Sequence, residues 1–344
     1  MRTLVIGDLH FDNKPYGLLD AQKKCVKDII DLTTKIDHII FLGDLIMHRK
    51  PSPTVLLALQ EAIDYASLKA EVTIIRGNHD SENKSDDGVT ALSLFQKNTC
   101  QDTLPNPKNR RYRVRVVTQT LYDHRTKMVF IPHYEDEERI KKYLSEVPNG
   151  YTVFGHFGYR GCLNSAGDAD STLSLSDFQR KTYLGHIHHF KQDGLVTLLG
   201  TPYSTNFGEA GTKGYYLILH DSEEEFHQIE SGPRHIVTTL EEVRGGLEYI
   251  NDSAWFTLLR INLQPGESAS DIPKDLNVSY LDIKLLPSFT DEDAISHYTP
   301  KRDLFIINDQ IIEDYVDNSD VSPALTKDIL MGGYNLLKKG HNED

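Results

Sequence analysis

Five apolar runs in this chain stop at a glycine and then present aspartate, asparagine or histidine. They are Thr3-Leu-Val-Ile-Gly-Asp-Leu-His10, His38-Ile-Ile-Phe-Leu-Gly-Asp44, Val72-Thr-Ile-Ile-Arg-Gly-Asn-His-Asp80, Val153-Phe-Gly-His156 and Thr182-Tyr-Leu-Gly-His-Ile-His188. Short β-branched and aromatic runs of this kind read as buried strands, and ligands of α/β sheets bind outside the carboxyl ends of the strands. Glycine allows a sharp turn and close backbone approach, so all five tips can converge on one small volume. The fold must therefore gather Asp8, His10, Asp44, Asn78, His79, Asp80, His156, His186 and His188.

Between these runs the pattern alternates. Helical spacing covers 18–35 and 55–66, giving β-α-β units. A further helix is expected over 88–98, strands over 112–117 and 128–131, and a charged helix over 136–144. The Gly-, Ser- and Asp-rich loop 158–172 is long for a connection inside a domain, which is more often functional than accidental. Strands over 195–199, 214–220 and 225–229 close the first domain, and Ser231-Gly-Pro233 begins something new. Residues 235–285 read as a small α+β unit: strand 236–240, helix 241–250, strand 255–263, helix 268–276, strand 278–285. An acidic, helical tail follows, and 322–339 puts Leu325, Ile329, Leu330, Leu336 and Leu337 on one side. The expected division is 1–232, 233–286 and 287–344.

At 344 residues, with 39% hydrophobic and 26% charged residues, the composition is that of a globular protein of about two domains. The opening residues lack a basic segment followed by an apolar one, and no run approaches the ~18 apolar residues of a membrane span. A soluble, cytoplasmic protein with no membrane partner is expected, in the host cytoplasm if the source is viral. Cys25, Cys100 and Cys162 are scattered and odd in number, which fits structural thiols in a reducing compartment. The net charge of −14 is unevenly spread: residues 221–344 hold 25 acidic and 10 basic side chains, net −15, leaving residues 1–220 near neutral at +1. Arg111, Arg113 and Arg115 share one face if their segment is a strand. That strip reads either as a charged edge strand or as a contact for phosphates.

Oxygen and imidazole donors in this mixture suit manganese, iron or zinc, and suit calcium poorly. Seven ligands are too many for one ion. Two divalent ions roughly 3.5–4 Å apart, bridged by one carboxylate, can clamp a phosphate and its attacking water, and Asp44 on the middle strand is the natural bridge. Taken singly, Asp8 reads as an N-cap or turn residue, Asn78 as a turn former, His156 as a core histidine, and His186 and His188 as one face of a strand. Jointly, that bland account needs five strand ends to be decorated alike by chance.

Gly7-Asp-Leu-His10, Gly43-Asp44, Gly77-Asn-His-Asp80, Gly155-His156 and Gly185-His-Ile-His188, in this order, resemble the signature blocks of the calcineurin-like metallophosphoesterases. Lys50-Pro-Ser-Pro53, Gly200-Thr-Pro-Tyr-Ser204, Phe207-Gly-Glu209 and Lys213-Gly214 further resemble SbcD-type DNA repair nucleases and their bacteriophage counterparts. The resemblance implies an α/β fold, a β-sandwich flanked by helices, with a small α+β capping domain and a C-terminal helical segment. It implies one metal on Asp8, His10, Asp44 and His188 and another on Asp44, Asn78, His156 and His186. The expected cofactor is two divalent ions, manganese first and magnesium as the alternative. His79 is then a non-ligand histidine that contacts the phosphate and serves the leaving oxygen, with Asp80 orienting its imidazole, while water activated by the metals attacks. The implied activity is exonuclease and endonuclease cleavage of DNA in a recombination or repair complex. The implied partners are DNA and an SbcC-type coiled-coil ATPase bound by the tail, and a homodimer is an open alternative.

The chain departs from that pattern at Met47, where many relatives carry a histidine or aspartate; His48 comes one residue later. The rivals are a phosphatase or small-molecule phosphodiesterase on the same fold, and a non-catalytic scaffold. Asn-His-Asp with no arginine block of the protein-phosphatase kind, the long region beyond the core, and the full ligand set weigh against them.

Overall fold

The computed structural model describes residues 1–97, 112–164, 167–168, 171–221, 223–246, 250 and 252–286. Strands β1 (Arg2–Ile6), β2 (His38–Phe41) and β3 (Glu71–Ile75) are joined by helices α1 (Leu18–Leu32) and α2 (Pro53–Ser67). α1 buries Leu19, Val26, Ile29 and Ile30 at helical spacing. α2 starts where Ser52 accepts from Val55 N and Pro53 needs no N–H partner. β4 (Val114–Val117), β5 (Leu121–Asp123), β6 (Met128–Ile131), α3 (Glu137–Ser145) and β7 (Thr152–His156) come next. After a short hairpin, β8 (Leu163–Asn164) with β9 (Gly167–Asp168), come β10 (Thr182–Gly185), β11 (Lys191–Asp193), β12 (Val196–Leu198), β13 (Tyr215–His220) and β14 (Glu223–Gln228).

These strands make two six-stranded sheets, ordered β14-β13-β1-β2-β3-β4 and β11-β12-β10-β7-β6-β5. β1 to β4 run parallel in the first, and β12, β10, β7 and β6 in the second. Val5, Ile40 and Ile75 of one sheet share a core with Phe130, Phe154 and Tyr183 of the other. α1 and α2 pack on the outer face of the first sheet and α3 on that of the second. The result is an α/β sandwich of two mixed sheets flanked by helices, the architecture that the resemblance implied. Among the described residues no helix is long and apolar enough to cross a membrane.

β15 (Gly232–Thr239), β16 (Trp255–Leu263) and β17 (Tyr280–Leu285) form a separate parallel sheet whose covered face holds Leu240 and Val243 of α4 (Leu240–Arg244). This sheet meets the sandwich where His235 N donates to Ser204 Oγ at 2.8 Å and Arg260 lies over the Phe207 ring at 4.1 Å.

Two expected helices shrink to 3-10 turns. The stretch 88–98 is helical only over Ala91–Phe95, because Lys97 bridges to Val114 and Gln96 Oε1 accepts from Val116 N, drawing the chain into the sheet edge. The stretch 268–276 is helical only over Ala269–Asp271, where Pro273 blocks continuation. β4 is an edge strand, and Arg115 spends its guanidinium on Asp123 at 3.0 Å. Arg111, Cys100, residues 247–249 of the expected helix 241–250, and the tail 287–344 with its stretch 322–339 lie outside the described residues. Cys25 and Cys162 are buried free thiols.

Candidate metal centre

Every parallel strand of the sandwich points its carboxyl end the same way, and the loops that leave β1, β2, β3, β7 and β10 meet there. The loops after β1 and β2 stay paired, with His10 N donating to Asp44 O and Phe11 N to Leu45 O, each at 2.9 Å. Asp8, His10, Asp44 and His156 are all at most 2% exposed. Three of the tip residues, His10, Asp44 and His186, have positive φ (45°, 47° and 77°), a conformation rare for non-glycine residues and typical of strained functional sites. Glycine enforces the approach: a Cβ at Gly77 would overlap the Asp44 carboxylate, and one at Gly185 would overlap Asp8 Oδ1.

The side chains fall into three overlapping groups, with His10, Asp44 and His79 linking the two described next. On one side Asp8, His10 and His188 converge, and His10 Nε2 lies 3.0 Å from His188 Nε2. On the other, Asp44, His156 and His186 converge, with Asn78 Oδ1 3.1 Å from His156 Nε2 and 2.9 Å from His186 Nδ1. Asp44 Oδ2 stands 3.3 Å from His156 Nε2 and 3.8 Å from His10 Nε2, facing both groups. Two ligands at right angles on one cation, each bonded at about 2.1 Å, would be about 3 Å apart, which matches these spacings. Asp8 Oδ1 and His10 Nδ1 are buried without a hydrogen-bond partner among the described residues, and a lone carboxylate oxygen in such a place fits a cation. The donor set therefore suits two divalent ions.

Outer hydrogen bonds set which ring nitrogen faces inward. His156 Nδ1 meets Leu42 O at 2.8 Å and His188 Nδ1 meets Glu209 Oε1 at 2.6 Å, so both present Nε2 to the centre. His186 N donates to Asp8 Oδ2 at 2.7 Å, and His79 N to Asp44 Oδ1 at 2.8 Å. Burial lifts Asp8 to about 7 and holds His10 and His186 down near 3, leaving their imidazoles neutral as ligation requires. Burial also pushes Asp44 upward, but His156 and His10 pull it well below the carboxylate range. His156 rises to about 9: burial opposes its charge, and the Asp44 and Asp8 carboxylates outweigh burial.

His79 stands beside the first group, its ring 4.9 Å from that of His10. Its Nδ1 lies 2.5 Å from Met47 O, which leaves Nε2 open. The expectation that Asp80 orients this imidazole needs correction. Asp80 Oδ2 accepts from Gly77 N at 2.9 Å, and Oδ1 from Leu45 N at 2.9 Å and Ile46 N at 3.3 Å. A fully buried carboxylate is used on three backbone N–H groups, so it ties two loops together, and the Met47 carbonyl orients His79. His48 is mostly exposed with Nε2 3.7 Å from Asp12.

Three residues beside the centre carried no role in the sequence reading. Glu209, within the Phe207-Gly-Glu209 block, is the carboxylate behind His188. Arg76 is 1% exposed under the Asn78 loop, bonded to Ser81 Oγ and His133 O. His133 follows β6, and its ring lies 5.8 Å from that of His186. Its signal was present: Met128-Val-Phe-Ile-Pro-His133 is a sixth apolar run ending at a histidine, with proline where the others have glycine.

A comparison with curated proteins finds no match. The family model described as calcineurin-like phosphoesterase matches residues 1–262, which include all five tips and the two sheets that carry them. Such enzymes are metal-dependent phosphoester hydrolases, and the paired clusters around Asp44 are the ligand arrangement such chemistry requires. On sequence match, fold and donor geometry together, the chain belongs to the calcineurin-like phosphoesterase family.

Proposed function

We propose that this chain is a manganese-dependent DNA exonuclease with endonuclease activity, the nuclease subunit of an SbcD-type recombination or repair complex. Asp8, His10 and His188 would hold one cation and Asn78, His156 and His186 the other, with Asp44 between them. The pair supplies Lewis-acid activation of water and neutralises charge on the phosphate. His79, fixed through Nδ1, turns Nε2 toward the substrate and serves the leaving oxygen.

The observation that carries a polymeric substrate is a groove on the far side of the loop that supports His188, reaching it through Thr205. A cleft of about 660 Å³ runs between Lys14, Phe207, Arg260 and Tyr280, bounded by the parallel sheet β15-β16-β17 and by the loop whose Glu209 supports His188. A small phosphoester needs no such extension. On this reading 233–286 positions DNA and 287–344 binds an SbcC-type coiled-coil ATPase. A small phosphodiester is favoured instead by Glu135, Asp136, Glu137 and Glu138, which line the cleft beyond Asn78 and His186 and repel a continuing polyanion.

The test is hydrolysis of end-labelled duplex DNA and of bis-p-nitrophenyl phosphate with Mn²⁺, Mg²⁺ or EDTA, by wild type and His79→Ala. Mn²⁺-dependent shortening of the DNA is expected. The variant should keep its metal and lose roughly 10²–10⁴-fold in rate. Turnover of the small ester with untouched DNA, under all metals and with partner extract added, would overturn the nuclease reading.

A further inference from the structure

A further imidazole faces the centre from the side away from His79. β6 runs parallel to β7, so the chain leaving it through Pro132 arrives at the same end of the second sheet as His156. The backbone of His133 is clamped there: its N donates to Arg76 O at 2.9 Å and its O accepts from Arg76 Nη2 at 2.5 Å. Arg76 is itself buried and held by Ser81, so the ring has a fixed base.

The ring stands 5.8 Å from that of His186, tilted by 31°, and 6.3 Å from that of His156, nearly perpendicular to it. It lines a cleft of about 610 Å³ together with Asn78, His186 and Arg49. Both ring nitrogens are buried and neither has a hydrogen-bond partner among the described residues. The carboxylate of Glu135 lies 3.7 Å from Nε2, beyond hydrogen-bond length. A neutral imidazole always carries one N–H, and buried donors are nearly always satisfied, so an unspent donor at a cleft wall points to an acceptor brought by a ligand. His133 is not part of the groups whose ligand atoms converge, which separates it from Asp44, His156 and His186. The acceptor that a phosphoesterase centre places beside these residues is a phosphoryl oxygen.

We propose that His133 is a catalytic residue that donates a hydrogen bond to a non-bridging oxygen of the phosphoryl group seated against Asn78, His156 and His186. The inference rests on the reading of this centre as a phosphoesterase. His79 by His10 and His133 by His186 then grip the phosphoryl group from opposite ends of the paired clusters. A donor held by the fold before substrate arrives costs no reorganisation as charge builds on the oxygen.

The experiment uses the full chain loaded with Mn²⁺, as wild type, His133→Phe and His133→Gln. Phenylalanine keeps the ring volume without a donor, and glutamine restores an N–H at similar reach. Metal content, calorimetric binding of inorganic phosphate and turnover of bis-p-nitrophenyl phosphate are measured. The expected result is unchanged metal content, phosphate binding about 10- to 100-fold weaker in His133→Phe, a comparable fall in kcat, and recovery of most phosphate binding in His133→Gln. Wild-type phosphate affinity in His133→Phe, or metal lost in step with phosphate, would overturn the assignment alone. A wild-type chain that takes up metal yet binds no phosphate and turns over no ester would overturn the phosphoesterase reading and the assignment with it.

Discussion

His188 can serve as a ligand because one of its ring nitrogens is already occupied. Glu209, 1% exposed, takes Nδ1 and is itself bonded by Thr205 N at 2.7 Å and Asn206 Nδ2 at 2.8 Å. Burial pushes the Glu209 carboxyl up, but the His188 and Thr205 donors hold it near 2, so it stays ionised at any working pH. Glu209→Gln keeps the shape and removes the charge. Manganese affinity of the metal-free chain should fall about 10- to 100-fold by calorimetric titration, with its melting temperature shifted by only a few degrees. An unchanged affinity would mean that the carboxylate merely caps its own loop. At this scale the residues that gather at the strand tips were legible in the sequence, since residue type and the glycine before it are local information. Their supporting groups were not: the carboxylate of Asp80 adjoins His79 in sequence, yet the Met47 carbonyl is what meets the imidazole.

Elements decide how these residues are delivered. Strands and helices at clear spacing, such as α1 and β7, lie close to where the pattern places them, because burial follows the same period as the backbone. The stretches 88–98 and 268–276 failed for opposite reasons, the first through pairing with a distant strand edge and the second through a local proline. The seam between the loop after β12 and strand β15 has its own pH sensor. His235 is 6% exposed, with Nδ1 3.0 Å from Ser204 Oγ, and is held down to about 4 by burial, with Arg260 adding and Ser204 and Glu209 opposing. Its unfolded form titrates near 6.5, so between 6.5 and 4 the unfolded chain binds the extra proton and stability falls as pH falls. The contribution is full above 6.5 and is lost toward 4, with a slope of up to about 1.4 kcal/mol per pH unit. Urea denaturation of the metal-free chain at pH 7, 6 and 5 should show stability falling with pH, the buried His10, His38, His133 and His186 adding to the slope, and His235→Asn should make it shallower by up to about 1.4 kcal/mol per pH unit. Equal slopes in both proteins would place the titrating group elsewhere.

Over the whole molecule, charge and architecture pull against each other. Residues 1–220, with all but the acidic edge strand β14 of the two large sheets, are nearly neutral and the remainder strongly acidic, whereas affinity for DNA comes mainly from neutralising phosphates. If metals and a partner supply most of that neutralisation, the isolated chain should bind duplex DNA with a Kd of about 10⁻⁶ M or weaker at physiological salt. The slope of log K against log salt should be shallower than about −4. Fluorescence anisotropy across a salt series checks this, and nanomolar binding with a steep slope would show that the chain carries a complete DNA site of its own.

The amino-acid sequence by itself determined the chemistry: which runs become strands, that each ends in a turn, and that oxygen and imidazole donors stand at the tips. These are short-range properties of periodicity and of glycine. The tertiary structure decided what lies across from what. Only the parallel pairing of β6 with β7 brings His133 beside His186, and only the packing of two sheets over the core of Phe130 and Phe154 closes Asp44 between two donor groups. Strand pairing and sheet packing join segments far apart along the chain through apolar area and backbone hydrogen bonds. Neither leaves a local mark on the residues that end up as neighbours.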